Sequence, residues 1–167
     1  FALPTDELAV AQRARTLQRN FQGYSTRGGA DIYAFGMSSI SAADAVYWQN
    51  SKKLETYQAQ VESGRLPYAR GFLLSPHDLV RRETIMQIMC NLHLDYAQLS
   101  AQLGVRFTDY FGREIASLDD LEADGLVRRS DTGLAVTEVG RLFVRVIAMR
   151  FDAYLGQAQE RRHAMTI

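Results

Sequence analysis

Cysteine, proline, net charge and long apolar runs are all scarce in this sequence, and each scarcity excludes something. There is one cysteine in 167 residues, Cys90. A single thiol cannot close an internal disulfide and cannot alone ligate an iron–sulfur cluster. No apolar run approaches the roughly 20 residues needed to cross a bilayer as a helix. Phe1-Ala2-Leu3-Pro4 has neither the basic start nor the apolar stretch of a signal peptide. Lys and Arg number 19 against 19 Asp and Glu. A neutral chain gains no global electrostatic pull towards nucleic acid or anionic lipid, although a local basic patch remains compatible with that balance. No Walker loop and no nucleophile elbow occur, and Arg27-Gly28-Gly29 lacks the strand–glycine–helix setting of a dinucleotide fingerprint. The first residue is not Met and stands directly before a helix start, which reads as a cut inside a longer protein.

Hydrophobic residues, by contrast, make up 47% of the chain, enough for an ordinary buried core. The length suits one domain, or one small domain with a fragment of another. Thr5 is placed to cap a first helix running to about Arg19, with Asp6 and Glu7 in its first turn. A short extended piece, Asn20 to Tyr24, follows. Ile32-Tyr33-Ala34-Phe35-Gly36-Met37 reads as a buried strand, and Gly36-Met37-Ser38-Ser39-Ile40-Ser41 as a small-residue loop. Residues 1–46 thus look like the closing end of an α/β barrel, too little to form one alone. Residues 47–72 read as a connector with a polar helix from about Ser51 to Glu62, ended by Gly64.

Residues 73–156 read as a compact helical domain. Ser75-Pro76-His77-Asp78 is a strong helix start, with Leu79, Arg82/Glu83, Met86 and Met89/Cys90 marking successive turns. Asp95 caps a short helix that Gly104 ends, and Phe107 to Ala123 reads as a third. Leu126 to Arg129 and Leu134 to Val136 flank a hairpin turn, and Thr137 caps a last helix with Leu142, Val146, Met149 and Leu155 on its apolar side. Residues 157–167 are a polar tail. The fold class is mainly α, α+β in detail: a winged-helix-like domain with a short hairpin, preceded by the last strand and helix pieces of an α/β barrel.

Few side chains point to chemistry. His77, His93 and His163 sit at no metal-ligand spacing and read as surface or capping residues. Cys90, beside Met86 and Met89, reads as core. Asp119-Asp120 reads as a solvated face. Arg128-Arg129 on the hairpin suits phosphate contact, but the helix before it carries Asp109, Glu114, Asp119 and Asp120, which phosphate repels. The loops differ: Gln22-Gly23-Tyr24 and Gly36 to Ser41 put small residues at strand ends, where ligands collect in α/β barrels. A tight barrel closure with no ligand fits the same spacing.

These loops carry a resemblance. Asp6 to Ala11, Arg19 to Thr26, Gly36 to Ser41 and Gln49-Asn50 resemble the oxygen-independent coproporphyrinogen III dehydrogenases. So do Arg81-Arg82, Ile85-Met86, Cys90-Asn91, Leu94-Asp95, Asp109-Tyr110-Phe111, Asp124 to Val127, Val136-Thr137, Gly140-Arg141 and Phe151 to Leu155. The likeness runs in order along nearly the whole chain. The related radical-SAM haem chaperones differ over the stretch from Asn20 to Thr26 and lack the Cys-Asn…Leu-Asp module.

The resemblance implies the C-terminal part of a cytoplasmic radical-SAM oxidoreductase of haem biosynthesis. The full-length enzyme would use S-adenosyl-L-methionine and a [4Fe–4S] cluster held on a cysteine motif of an N-terminal barrel. A 5′-deoxyadenosyl radical would take hydrogen from a propionate of coproporphyrinogen III. Loss of carbon dioxide and one electron would leave a vinyl group; two propionates react, giving protoporphyrinogen IX. An electron donor would serve as partner, with no membrane and no nucleic acid. By the resemblance, Ile40 matches a position whose main chain lies against one S-adenosylmethionine, and Gln22 one near a second. No catalytic or metal-binding residue transfers onto this chain, which on its own would be inactive and bind no cofactor. Val146 stands where the family's Asn is expected. The helical domain would cover the barrel mouth. A winged-helix module binding nucleic acid or a protein partner is the alternative from another class.

Overall fold

The computed structural model describes residues 3–155; the polar tail, His163 included, lies outside them. The chain divides into two compact units at Arg82/Glu83, inside one long helix.

The first unit opens with α1, Glu7–Arg13, capped by Asp6, whose side chain accepts the Leu8 N–H at 2.8 Å. The sequence reading put the cap at Thr5 and the helix end near Arg19; the helix is shorter at both ends. It ends in a paired-bond stop, with Arg15 N–H on Gln12 O at 3.1 Å and Thr16 N–H on Ala11 O at 2.9 Å. Arg15 takes φ 58° there, the left-handed turn that closes such a stop. The chain then continues extended as β1, Gln18–Asn20, antiparallel to β2, Gly23–Ser25.

Next comes a three-stranded antiparallel sheet in the order β3-β4-β5: Ile40–Ala43, Val46–Asn50 and Tyr68–Leu73. Residues 47–72 therefore hold, besides α2 at Leu54–Glu62, strand β4 from Tyr47 on and most of β5. Gly64 at φ 71° follows the end of α2. The buried strand expected over Ile32 to Met37 does not form. Only Ile32 bridges the sheet, exchanging two hydrogen bonds with Ala42 at 2.7 and 2.9 Å. Gly36 at φ 100° and Ser38 at φ 62° turn the chain out of the extended region, and Phe35 is 92% exposed. The strand falls instead on Ile40–Ala43, which the sequence reading left partly in a loop.

Helix α3, Pro76–Asn91, starts as expected. The Ser75 N–H and hydroxyl donate to Asp78 Oδ2 at 2.9 and 2.7 Å, and Asp78 N–H donates to Ser75 Oγ at 3.2 Å. The reciprocal bonds satisfy donors that a helix start leaves open. Val80, Thr84, Ile88 and, as expected, Cys90 are buried on it, while Leu79, Arg82, Glu83 and Met86 are half-buried.

The second unit holds the remainder of α3, then β6 (His93–Asp95), α4 (Tyr96–Leu103), α5 (Phe107–Tyr110), α6 (Gly112–Ala116) and α7 (Asp119–Ala123). The hairpin β7 (Val127–Ser130) and β8 (Gly133–Val136) follows, then a 3₁₀ turn (Gly140–Phe143) and α8 (Val144–Met149). The sheet order is β6-β8-β7, so the strand after α3 joins the hairpin. Asp95 caps α4 by accepting the Gln98 N–H at 2.9 Å, and Gly104 ends it at φ 66°. The single helix expected from Phe107 to Ala123 is three pieces. The breaks are at Phe111 (ψ 21°) and Leu118 (ψ 3°). Both side chains are 0% exposed there, so burial of these two residues accompanies departure from straight helix. Stacked Tyr96–Phe107 (5.2 Å) and the Phe107–Phe111–Phe151 chain (4.8 and 5.5 Å) form the aromatic part of this unit's core.

The last helix presents the opposite face from the one expected. Ile147, Ala148 and Phe151 are buried, while Leu142 is 83%, Met149 50% and Val146 41% exposed. Apolar residues surround this segment, so periodicity alone admits either stripe.

Candidate functional site

The arch from Ala34 to Ile40 in the first unit is the most heavily tied irregular segment of the sheet. Two neighbouring side chains at the end of β4 hold it. Asn50 Nδ2 donates to Gly36 O at 2.9 Å and to Ser39 Oγ at 3.0 Å. Gln49 Nε2 donates to Ser38 O at 2.9 Å, and Gln49 Oε1 accepts from Arg70 Nε of β5 at 2.9 Å. The backbone adds Ser38 N–H on Ser51 O at 2.8 Å and Asn50 N–H on Ser39 O at 3.0 Å. Ser39 Oγ lies within bonding distance of Gly36 O (2.8 Å), and Ser41 Oγ accepts the Ala34 N–H at 3.0 Å. Ser41, Gln49, Asn50 and Ser51 are all buried. Buried polar groups left unpaired are costly; here Gln49 and Asn50 meet carbonyls and a hydroxyl of the arch, Ser41 an N–H of the arch, and Ser51 Oγ the backbone of Lys53.

Ile40 sits where the arch becomes β3. Ser39/Asn50 is a hydrogen-bonded pair, and antiparallel pairs alternate. Ile40↔Gln49 is therefore the other kind of pair, and the Ile40 N–H and C=O point away from β4. The next outward-facing residue, Ala42, has both groups bonded to Ile32. Ile40 thus lies on the open edge of the sheet beyond that bridge.

Gln22 lies in the turn between β1 and β2 and is exposed. The Asn20 carboxamide oxygen shapes this turn by accepting the N–H groups of Gln22 at 2.8 Å and Gly23 at 3.2 Å. Phe21 meets Tyr47 edge-on at 5.4 Å, which ties the turn to β4, the strand that pairs with β3. Phe21, the neighbour of Gln22, thus touches the strand whose partner, β3, has Ile40 as its first residue.

In the second unit Arg129 is occupied. Its N–H and Nε donate to the two oxygens of Glu122 at 2.7 and 2.8 Å, Nη1 donates to Ile115 O at 2.7 Å, and Nη2 to Asp119 at 2.7 Å. The backbone N–H of Arg129, then its guanidinium, hold the Glu122 carboxyl below its usual range, and Glu122 in turn raises the Arg129 pKa. Asp120 is paired with Arg150 at 2.6 Å, so Asp119-Asp120 is an ion-paired edge. Arg128 is exposed. Tyr96 Oη is buried without a partner, and burial pushes its pKa up.

His77 Nε2 accepts from Arg81 Nε at 2.7 Å, and His93 lies in β6 opposite Ala135. Cys90 is buried with its sulfur 3.4 Å from that of Met86. Among the described residues no group of three or more His, Cys, Asp or Glu is placed to hold a metal ion. Sequence reasoning singled out Gln49-Asn50 for likeness alone and missed their part in holding the arch. The available signal was a Gly-x-Ser-Ser run followed by two carboxamides at the end of a strand.

Residues 74–143 match the family described as the HemN C-terminal domain. An oxygen-independent coproporphyrinogen III oxidase from Thermostichus vulcanus is 46% identical over 168 residues, covering 100% of this chain and 52% of that protein. The enzyme of the same description from Escherichia coli K12 is 45% identical over 157 residues, covering 94% of this chain and 34% of that protein. A solved structure of Escherichia coli coproporphyrinogen III oxidase (HemN), described as a radical SAM enzyme, matches with a TM-score of 0.90 at 44% identity. It covers 93% of this chain and 36% of the HemN chain. The chain therefore spans between about a third and about half of the relatives' length. The resemblance to the oxygen-independent coproporphyrinogen III oxidases holds in sequence and in fold alike, and this chain is a relative of their C-terminal part.

Proposed function

We propose that the chain is the C-terminal portion of a cytoplasmic, oxygen-independent coproporphyrinogen III dehydrogenase that turns two propionates of coproporphyrinogen III into vinyl groups. The observation that carries this reading is agreement in sequence and fold over 93% of the chain. Residues 1–46 then close a barrel, residues 47–72 connect, and residues 73–156 form the helical domain that helps enclose the tetrapyrrole. The order helix, strand, helices, hairpin, with β6 joined to the hairpin, supports a winged-helix-like description of that domain.

S-adenosylmethionine supplies the hydrogen-abstracting radical when bound. The residues present fit contact with it. Ile40 offers a main-chain donor and acceptor at an open sheet edge, and Gln22 offers an exposed carboxamide with two donors and an acceptor. Neither needs to move a proton; both bind and orient. The residues present do not fit the [4Fe–4S] cluster, since Cys90 is the sole cysteine and is 0% exposed. The cluster ligands belong to the portion of the relatives beyond this chain.

The nucleic-acid alternative has less support. Arg129, one of the two hairpin cations, is spent on Glu122 and Asp119.

The deciding experiment takes the coding region upstream of Phe1 and the full-length protein. A C-x3-C-x2-C motif upstream is expected, with anaerobic conversion of coproporphyrinogen III to protoporphyrinogen IX that requires S-adenosylmethionine. The present chain alone is expected to give no turnover. A full-length protein that lacks the motif, or holds a cluster but leaves the substrate unchanged, would sink the proposal.

A further inference from the structure

We infer that Asn50 is a positioning residue: it fixes the segment from Gly36 to Ile40 so that the Ile40 main chain can receive S-adenosylmethionine. The inference rests on the assignment of Ile40 above and adds the residue that makes the contact possible.

The first support is how Asn50 is used. It is 5% exposed, and its carboxamide nitrogen, with two hydrogens, meets two acceptors, Gly36 O and Ser39 Oγ, at 2.9 and 3.0 Å. Its backbone N–H holds Ser39 O as well, at 3.0 Å. One buried residue thus grips the arch at both ends of the Gly36–Ser39 turn.

The second support is that the arch is not held by its own bonds alone. Ser38 takes φ 62°, a conformation that L side chains resist, and it follows Gly36 at φ 100°. Such a backbone persists where surrounding contacts over-determine it. Besides Asn50, those contacts are the Ser38 N–H on Ser51 O, the Gln49 carboxamide on Ser38 O, the Ala34 N–H on Ser41 Oγ, and Ser39 Oγ within reach of Gly36 O and Ala34 O.

The third support is what the fixed arch displays. Phe35 is 92% and Met37 44% exposed on it, and the unpaired main-chain edge of Ile40 comes next. Exposed apolar surface beside a free main-chain donor and acceptor suits a ligand with an apolar body and a hydrogen-bonding edge, as S-adenosylmethionine has.

The test uses the full-length enzyme with its cluster reconstituted anaerobically. S-adenosylmethionine affinity is measured by equilibrium dialysis, alongside kcat, the KM for S-adenosylmethionine and the melting temperature. Asn50→Ala is expected to weaken binding and raise KM about tenfold, about 1.4 kcal/mol, with kcat at saturation little changed, and to lower the melting temperature because two acceptors lose their donor. A purely structural role would lower the melting temperature and the active fraction while leaving the affinity of the surviving molecules intact; that result overturns the inference. Ile40→Pro, which removes an outward-facing N–H on an edge strand, reports on the underlying assignment, with Ile40→Val as the control that keeps the N–H. If Ile40→Pro weakens binding and Asn50→Ala does not, the positioning role is wrong and the Ile40 assignment stands. If neither weakens it, the Ile40 assignment itself is wrong, and the positioning role falls with it. Should Asn50→Ala fail to fold, Ser39→Ala removes one of its two acceptors; about a threefold loss of affinity is then expected, and none overturns the inference.

Discussion

Single residues in the second unit show where the backbone leaves no room. A Cβ on Gly140 would lie 1.9 Å from Leu126 O and 2.8 Å from its carbon, both backbone atoms that cannot swing aside. Gly140→Ala is therefore expected to cost about 3 kcal/mol or more, the upper end for overpacking. Urea unfolding should show the midpoint fall with an unchanged slope. Glu122 gives a prediction in pH. Its carboxyl is held below its usual range by the Arg129 N–H and guanidinium. A depressed folded-state pKa contributes stability above the unfolded value, and that stability is lost as pH falls through the folded value. The second unit should thus lose stability below about pH 4, the ordinary carboxylate range. Glu122→Gln should flatten that acid limb; an unchanged limb would show that other carboxylates set it. Gly140 drew notice in the sequence by likeness alone, and Glu122 drew none. A glycine forced by a neighbouring carbonyl and a carboxylate paired seven positions away are products of the tertiary fold, not of local pattern.

Elements with local signals were legible, and those that depend on partners were not. The capping box at Ser75/Asp78, the Asp95 cap with Gly104, and the hairpin closing between Ser130 and Gly133 all follow from side chains acting within a few residues. The strand expected at Ile32 to Met37 failed because its apolar residues serve an arch whose shape is set from β4 by Gln49 and Asn50. The site was legible to the same extent: Gln22 and Ile40 were placed by likeness, the arch that holds Ile40 was visible only as small residues, and the clamp was not visible. Helix α8 shows the limit of periodicity. Leu142, Val146 and Met149 make as good a stripe on paper as Phe143, Ile147 and Phe151, but the latter two are at 0% exposure. Phe151→Ala is thus expected to destabilise the second unit by about 3–5 kcal/mol. Leu142→Ser, at 83% exposure, should stay within about 0.5 kcal/mol. Chemical denaturation of both variants checks this; comparable losses would mean that the exposed stripe is covered in solution.

The two units differ in how much of their own stability they carry. Among the described residues before Glu83, the buried apolar side chains are Ala11, Leu17, Pro67 and Val80. After it, they include Ile88, Leu94, Phe107, Phe111, Leu118, Leu134, Ile147 and Phe151, all at 0 or 1% exposure. Over the same first stretch Phe21, Tyr33, Phe35, Leu66, Phe72 and Leu73 are exposed, at 46 to 92% where Tyr68 is counted with them. Burial of apolar surface is the main favourable term in folding, at about 25 cal/mol per Å². A unit whose buried polar network exceeds its apolar core has little to set against chain entropy. That is the profile of a piece completed by further chain, in keeping with relatives two to three times as long. Native-state hydrogen exchange should therefore split the molecule. In the chain as given, amides of β1, β2 and β3 should exchange through low-energy local opening, while those of α4, β6 and β8 approach the global limit. In a longer protein that holds this chain, the β1 and β2 amides should become protected, because further chain would then pack on the first unit. Equal protection of β3 and β8 in the isolated, monomeric chain would show that the first unit stands on its own, and would weaken the case that residues 1–46 close a larger barrel.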